Sequence, residues 1–577
     1  MRHGAIVAEG MGRGVACDTG RRRCRRSRRG IGYYQATAVN HRIPFSLVAT
    51  VIGVTIAVVA WLAVPHYFAA VTPRHTWGDG ALLELYTHYV HEGVWELGPY
   101  SRYGWYHPGP LLFRLLWPLY EHAGLHPFAL NGGALLINLG AVALSLWLAL
   151  RHGRTGPVMA LGLGLLILTL RSGDTVLSFW NPHIVILPMV AFLLSTAAAA
   201  QGDVRAWLPF VLTGSLLAQT HVSVVPVVAV CGAYGLARHW RTWFLRHPHA
   251  PAERYPVAWL CAAGLLLALL WWPPAHEALS SDGGNLAALW RFFAEARAGQ
   301  PWALSLAVWV DRLTAILHPG PQVVGGVVMA VPLQATELLP LLPWLLAAPV
   351  YPGVMIWVSV QAGRGGDRFT ARLAQVVLIG SLVALSSITR IPDVVEEYQV
   401  SWIAGVGMIG LALAVGTAAE ALGSSRWLPS RAAAAMAVAV LLASLAVGGL
   451  RFRDYTRIVT DQTAHRVADV SSQVLARLSE EGHRQVWVRV SPVVWPEAAG
   501  VIMRLRKDGI RVQIPDGPLA LLFGTPLVGV RADGWPVLHL VDAEGGRALD
   551  QRSAEVGLPG VERLRAFLDV PPAPSRR

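Results

Sequence analysis

The segment Trp77–Tyr120 opens with two carboxylates in a setting that suits chemistry. Asp79 lies between Gly78 and Gly80, and Glu84 follows on the same stretch. A carboxylate can take a proton from a hydroxyl group, and flanking glycines let a substrate approach closely. The sequence therefore predicts a functional carboxylate at Asp79, with Glu84 in support. The alternative is an ordinary acidic cap at the start of a helix.

The stretch Gly98–Pro110 places Arg102 and His107 among turn residues and several aromatic rings. An arginine can bind phosphate through two parallel hydrogen bonds, and a histidine can donate or accept a proton. Aromatic rings stack on the faces of sugars. These residue types predict a sugar site with a phosphate contact. The alternative is an interfacial loop with an aromatic belt.

Further polar residues follow in other loops that are expected on the same side of a membrane. The site residues predicted from this group are Arg390 for phosphate, with Asp174, Asn181, His183, His221 and Tyr398 in support. Arg171, Glu277, Asp282 and Asn285 extend the group. Ionisable groups near bilayer depth are costly and mark functional sites by default. Taken singly, each can also be a helix cap or a structural hydrogen bond.

The elements that must position these residues are membrane helices. The chain is 54% hydrophobic and only 14% charged, whereas a soluble domain carries about 25% charged residues. Apolar runs near the length needed to cross hydrocarbon recur along the chain. They predict eleven spans near 44–66, 130–150, 156–171, 180–200, 206–219, 223–238, 256–273, 337–361, 370–389, 399–421 and 431–450.

The positive charge sets the orientation of these spans. A net charge of +13 could indicate a protein that binds nucleic acid. The arginines lie in short loops between spans, however, where they are typical orientation signals of membrane proteins. Those loops are placed in the cytoplasm by Arg151, Arg154, Arg205, Arg238, Arg241, Arg246, Arg254, Arg364, Arg368, Arg372, Arg426 and Arg431. The pattern predicts a cytoplasmic N-terminus, an extracytoplasmic C-terminus and no nucleic-acid partner.

Three domains follow from this reading. Residues 1–43 form a basic cytoplasmic tail, predicted to be disordered, and 44–450 form the membrane domain with outer loops 67–129 and 274–336. In 451–577, apolar residues change to helical and alternating spacing, which predicts a small α/β domain outside the membrane. The predicted fold class is an all-α polytopic membrane protein with this domain at its C-terminus.

The segment after the first span resembles the integral-membrane glycosyltransferases of the C superfamily, most closely a largely actinobacterial branch. The matching blocks are Gly78–Glu84, Gly98–Pro110, Trp180–His183, Gln219–His221, Trp272–Pro274 and Gly284–Asn285. The resemblance covers roughly residues 44–450. It implies a helical fold, a polyprenyl-phosphate-linked sugar donor and an inverting transfer on the outer face. It also gives Asp79 the position of the general base, with Asp174 the best candidate for a second acidic motif.

The predicted function is transfer of a hexosyl or pentosyl unit to a cell-envelope glycan or glycolipid. Arg102, His107 and Arg390 are predicted to bind the donor phosphate, and the need for a divalent metal stays open. Two rival functions remain: a transporter or flippase for a lipid-linked precursor, and an inactive homologue that binds glycan. The almost uniformly apolar middle of the spans favours the enzyme, because a transporter needs polar groups across the membrane.

Overall fold

The computed structural model describes residues 63–71, 74–246, 257–281, 284–295, 298–318, 331, 338–423, 430–457, 462–542, 554–555 and 564–569. The predicted basic tail 1–43, most of the first predicted span and Asp282 lie outside these residues. All the described residues belong to one compact unit, Ile56–Arg577.

The part of this unit before residue 458 is helical. Its helices are α1 (described over 63–70), α2 (Gly78–His91), α3 (Leu111–His122), α4 (Phe128–His152), α5 (Thr155–Arg171), α6 (Asn181–Ile184), α7 (Ile186–Ala200), α8 (Trp207–Thr220), α9 (Val225–Arg246), α10 (Val257–Ser280), α11 (Gly284–Ala294), α12 (Trp302–Leu313), α13 (Leu342–Ala347), α14 (Val350–Arg364), α15 (Arg368–Ile388), α16 (Glu397–Val400), α17 (Ile403–Ala421) and α18 (Ser430–Arg457). A two-stranded hairpin, β1 (Tyr100–Ser101) with β2 (Trp105–Tyr106), interrupts them.

Eight segments in the described residues are long and apolar enough to cross a membrane: Phe128–His152, Asn181–Ala200, Val222–Trp243, Val257–Ser280, Leu339–Arg364, Arg368–Ile388, Ile403–Ala421 and Arg431–Thr456. Each coincides with a predicted span. Of the two short predicted spans, 156–171 forms α5, with 17 residues, and 206–219 forms α8, with 14 residues. The polytopic all-α fold class is confirmed.

The core of the bundle surrounds α7. Every residue of α7 is buried, and its last four residues, Ala197–Ala200, are all 0% exposed. A helix that is apolar all round belongs in the interior of a bundle. Its small side chains let α4, α8, α9, α15 and α17 approach closely, as small residues do between membrane helices.

The basic turns meet at one end of the bundle. Arg151 Nε lies 3.2 Å from Asp203 Oδ2, and Arg154 donates a hydrogen bond to the carbonyl oxygen of Gly365. Because α4 spans 25 residues, its other end lies about 36 Å away. The loops with Asp79, Asn181 and the other predicted site residues lie at that opposite end.

The C-terminal region forms the predicted α/β domain. Its elements are α19 (Gln462–Glu480), β3 (Gln485–Val490), α20 (Trp495–Lys507), β4 (Arg511–Gln513), α21 (Pro518–Phe523), β5 (Val537–Val541), β6 (Ala554–Glu555) and β7 (Arg565–Asp569). The sheet has the order β4-β3-β5-β7-β6. Strand β3 runs parallel to β4 and β5, whereas β7 runs antiparallel to β5 and β6.

A buried ion pair joins this domain to α2. Glu84 on α2 is 1% exposed and accepts hydrogen bonds from Thr76 and from Tyr120, whose hydroxyl lies 2.7 Å from Oε1. Lys507, the only lysine in the sequence, donates to the same carboxylate from the end of α20. Burial by itself would raise the pKa of Glu84, but Lys507 and the hydrogen bonds outweigh it and lower that pKa.

Three tyrosines of the membrane domain also form hydrogen bonds with the C-terminal domain. Their hydroxyls donate to successive carbonyl groups at the end of α21: Tyr106 to Leu521, Tyr86 to Leu522 at 2.5 Å and Tyr89 to Phe523 at 3.0 Å. The last carbonyl groups of any helix lack partners within that helix. The tyrosines satisfy them, so that polar groups buried at the interface are not left unpaired.

We expect Lys507→Met to lower the free energy of unfolding by about 3–5 kcal/mol, because it leaves the Glu84 charge buried without its counter-ion. Arg477→Met is the matched control. Arg477 lies 2.9 Å from Glu481 in an exposed pair, which is worth about 0–1 kcal/mol. Chemical unfolding of the purified protein in detergent measures both. Equal losses in the two variants would contradict a stabilising role for the Glu84–Lys507 pair.

Candidate active site

A cavity of about 790 Å³ opens at the end of the bundle away from the basic turns. Its wall includes seven residues that were predicted from the sequence: Asp79, Arg102, His107, Asn181, His221, Arg390 and Tyr398. Among its described lining residues, Asp79 is the one carboxylate, and Arg102 and Arg390 are the two cations. The rest of the wall is mostly aromatic and aliphatic. The tertiary structure thus gathers residues from five separate loops around one space.

Asp79 lies in the first turn of α2. The N-cap of this helix is Trp77, so Asp79 is not the cap that the alternative reading assumes. Gly78 has a φ of +58°, which favours glycine and lets the chain turn directly into the helix. The Asp79 side chain is accessible from the cavity.

The surroundings of Asp79 tune its basicity. Burial among protein atoms raises the pKa of Asp79, and interaction with the Trp180 side chain partly offsets the rise. Its position at a helix N-terminus also favours the ionised form. A carboxylate with a raised pKa holds a proton more strongly, which improves it as a base near neutral pH.

The β1–β2 hairpin presents Arg102 and His107 to the cavity. The His107 backbone N–H donates to the carbonyl oxygen of Pro99 at 2.8 Å. The backbone N–H of Val222 donates to His107 Nδ1 at 3.0 Å, and the His107 ring stacks on His221 with centroids 4.8 Å apart. Burial and the neighbouring His221 hold the pKa of His107 well below its usual range. His107 is therefore neutral, with its proton on Nε2.

Gln219 and Asn285 clamp this hairpin in place. Asn285 forms two hydrogen bonds with the backbone of Tyr106. Its Oδ1 accepts from the Tyr106 N–H at 2.8 Å, and its Nδ2 donates to the Tyr106 carbonyl oxygen at 2.7 Å. Gln219 accepts from the Leu111 N–H at 3.3 Å and donates to the Leu270 carbonyl at 2.9 Å. A Cβ atom added to Gly109 would lie 2.4 Å from Gln219 Oε1, so only glycine fits there. Asn285 thus holds the hairpin itself, whereas Gln219 and Pro274 pack against Gly109 in the segment that follows it.

The two arginines reach the cavity from different segments. Arg102 is half-exposed, lies 3.7 Å from Glu396 and donates to the Tyr103 hydroxyl at 3.2 Å. Arg390 follows α15, and its guanidinium group has no partner among the described residues. A partnerless guanidinium beside an apolar wall is a strong site for an anion.

Aromatic rings and an amide line the cavity together with these charged groups. The rings of Trp180 and Tyr398 lie 5.1 Å apart, and Asn181 donates to the carbonyl oxygen of Thr220 at 3.5 Å. The charges of Asp79 and Arg102 both act on Tyr398. Tyr398 lines the cavity together with Asp79 and Arg102.

Three predicted residues do not line the cavity. Glu84 forms the docking ion pair described above, and Asp174 lies in the short turn Gly173–Leu177. His183 Nδ1 lies 2.9 Å from the Ser178 hydroxyl. Within the described ranges, His, Cys, Asp and Glu side chains form no group of three that could hold a metal ion.

Among the cavity wall residues that the sequence analysis missed, two come from the C-terminal domain. Trp495 and Leu522 come from α20 and α21 of the C-terminal domain. Nothing in the local sequence signals their position, because it depends on how the domain docks on α2. The Trp495 ring in particular adds an aromatic face beside Asp79.

Comparison with known proteins shows a likeness of fold. No protein-family model matches the chain, and no curated protein matches it. The crystal structure of ArnT from Cupriavidus metallidurans bound to undecaprenyl phosphate is similar with a TM-score of 0.50 at 17% identity, covering 90% of this chain and 98% of that chain. The apo structure of the same protein gives a TM-score of 0.48 at 16% identity, covering 91% and 98%. The likeness to the lipid-bound structure shows a shared fold.

Proposed function

We propose that this protein transfers a sugar from a polyprenyl-phosphate-linked donor to a hydroxyl group of a cell-envelope glycan or glycolipid. The observation that carries this proposal is the cavity that brings the Asp79 carboxylate together with Arg102 and Arg390. The fold likeness supports it, because the ArnT structure holds undecaprenyl phosphate. The sequence resemblance to an actinobacterial branch of the superfamily agrees with this substrate class.

The reaction is an in-line displacement with inversion. Asp79 takes the proton from the acceptor hydroxyl, while the oxygen of that hydroxyl forms a bond to the anomeric carbon of the donor sugar. The bond between that carbon and the phosphate oxygen breaks, and the electron pair leaves with the polyprenyl phosphate. Phosphate is a good leaving anion, so that no group needs to protonate it, in contrast to glycoside hydrolysis.

The arginines stabilise the charge that develops on the leaving phosphate. Arg390 is the stronger candidate, because it has no competing partner among the described residues. Arg102 must exchange its contact with Glu396 for the donor. His107 acts as a neutral hydrogen-bond donor through Nε2 rather than as a cation. In a cavity with mostly apolar walls, such interactions are stronger than in water.

In the proposed orientation, the cavity faces away from the cytoplasm. The basic turns lie at the other end of the bundle, and basic loops stay on the cytoplasmic side. We therefore propose that the membrane domain ends at residue 450 and that the C-terminal domain, which starts at residue 451, lies outside the plasma membrane. The lipid chain of the donor would lie along the apolar part of the wall.

We expect Asp79→Asn to lower the turnover number by about 10²–10⁴-fold, because it removes the base and keeps the shape. Affinity for undecaprenyl phosphate should stay at the wild-type level, since the arginines bind the phosphate. Transfer from polyprenyl-phosphate sugars and thermal stability are measured side by side. The matched control is Asp454→Asn, an exposed aspartate on α18, which should change neither.

The pH profile gives a second readout for Asp79. The wild-type rate should fall as the pH drops, starting at a higher pH than an ordinary aspartate would cause, since burial raises the pKa of Asp79. The Asp79→Asn variant should not show this fall of the rate at low pH. A well-folded Asn variant with near-normal turnover would remove Asp79 from the mechanism.

We expect Arg390→Lys to weaken the affinity for undecaprenyl phosphate about tenfold or more, because lysine loses the forked geometry. Arg102→Lys should have a smaller effect, since Arg102 is half-exposed and already paired. Titration of undecaprenyl phosphate into each purified variant measures both, with the exposed Arg291→Lys on α11 as control. Wild-type affinity in both Arg390→Lys and Arg102→Lys would exclude the phosphate assignment.

We expect a cysteine at position 530 to react with an impermeant maleimide in intact cells. Val530 is 88% exposed in the C-terminal domain, and the four native cysteines are first replaced by serine. A cysteine replacing Arg364 at a basic turn should react only after permeabilisation. The reverse pattern would refute the proposed orientation.

A further inference from the structure

The C-terminal domain supplies part of the cavity wall next to the proposed base. Trp495 is the first residue of α20, and Leu522 is near the end of α21. Trp495 is half-buried, so that part of the ring is open to the cavity. Its indole N–H has no hydrogen-bond partner among the described residues. A ring face and a spare donor side by side suit a hydroxylated sugar.

The docking interface fixes Trp495 relative to Asp79. A Cβ atom added to Gly78 would lie 3.8 Å from the Cβ atom of Pro496, the neighbour of Trp495. Further along α20, a Cβ atom added to Gly500 would lie 2.4 Å from the carbonyl oxygen of Thr76. The two backbones therefore meet where the helix of Asp79 begins. A platform that is already rigid costs little entropy when a ligand binds.

The charged residues of the described cavity wall all come from the membrane domain. Both lining arginines come from the β1–β2 hairpin and the segment after α15, whereas α20 and α21 contribute no charged residue to the described wall. A phosphate-linked donor belongs with the arginines. The uncharged wall formed by Trp495 and Leu522 fits a neutral ring instead.

The direction of attack decides whether the donor sugar or the acceptor sugar contacts Trp495. In an inverting displacement, the attacking hydroxyl approaches from the side opposite the leaving phosphate. The base must lie within hydrogen-bond reach of that hydroxyl. Pro496 adjoins Gly78 at the start of α2, so Trp495 lines the part of the cavity where the helix of Asp79 begins.

We propose that Trp495 is the platform on which the acceptor sugar stacks, so that the C-terminal domain selects the acceptor. This inference rests on the proposed function for its assignment to the acceptor. The ligand class is a neutral sugar ring that offers a hydroxyl group to Asp79. The donor sugar, by contrast, lies between Tyr398 and the arginines.

Binding of small glycosides tests the platform without requiring transfer. The probes are the methyl glycosides of glucose, mannose, galactose and arabinose, titrated by saturation-transfer NMR onto the protein in lipid nanodiscs. We expect the wild type to bind at least one of them, and Trp495→Ala to bind it about tenfold more weakly. Trp495→Phe keeps a ring and should stay within about threefold of the wild type. Val493→Ala, 73% exposed and outside the cavity, is the control.

The affinity for undecaprenyl phosphate separates acceptor from donor. We expect Trp495→Ala to bind it as the wild type does. Equal weakening of glycoside and undecaprenyl phosphate, unchanged glycoside binding, or no binding by the wild type would each overturn the proposal. Trp495-dependent glycoside binding in a protein that transfers no sugar would refute the proposed function instead and leave the subsite standing.

Discussion

The arrangement of the site depends on one buried carboxylate that must be neutralised. Glu84 lies on the inner face of α2, and its counter-ion, Lys507, is 423 residues away in sequence. A buried charge without a partner is very costly, so that α20 has to dock where Lys507 can reach it. That docking places the C-terminal domain against the helix of Asp79 and closes one side of the cavity. In this structure Glu84, which was predicted to support the site, joins α2 to the C-terminal domain.

The polar residues of the outer loops divide into two functions. Asp79, Arg102 and Arg390 line the cavity, while Asn285 forms its hydrogen bonds with the backbone of the hairpin and Gln219 with the start of α3 and with α10. The second group matters to the first, because a short hairpin is marginal by itself. Specific side-chain contacts to its backbone replace the missing strands. Arg102 and His107 then project from a fixed position.

The separation of charges within the cavity gives the site a direction. The carboxylate lies in the first turn of α2, the cations come from the hairpin and the segment after α15, and Trp180 and Tyr398 line the same cavity. Neutral His107 adds a donor without adding charge. A sugar bound across this gradient would have its phosphate at one end and its attacking partner at the other. The shared fold alone would not define that direction, because it says nothing about individual side chains.

The sequence by itself determined the membrane class, the spans in the described residues and most elements of the C-terminal domain. The reason is that bilayer thickness and strand or helix periodicity leave local patterns, such as Val467 to Leu478 on α19 or Val537–Val541 on β5. Seven of the ten predicted site residues also meet in one cavity. Only the tertiary structure decided that Glu84 pairs with Lys507, that His107 is a buried neutral ring and that Trp495 faces the cavity. Those facts depend on contacts between segments hundreds of residues apart, which no local pattern records.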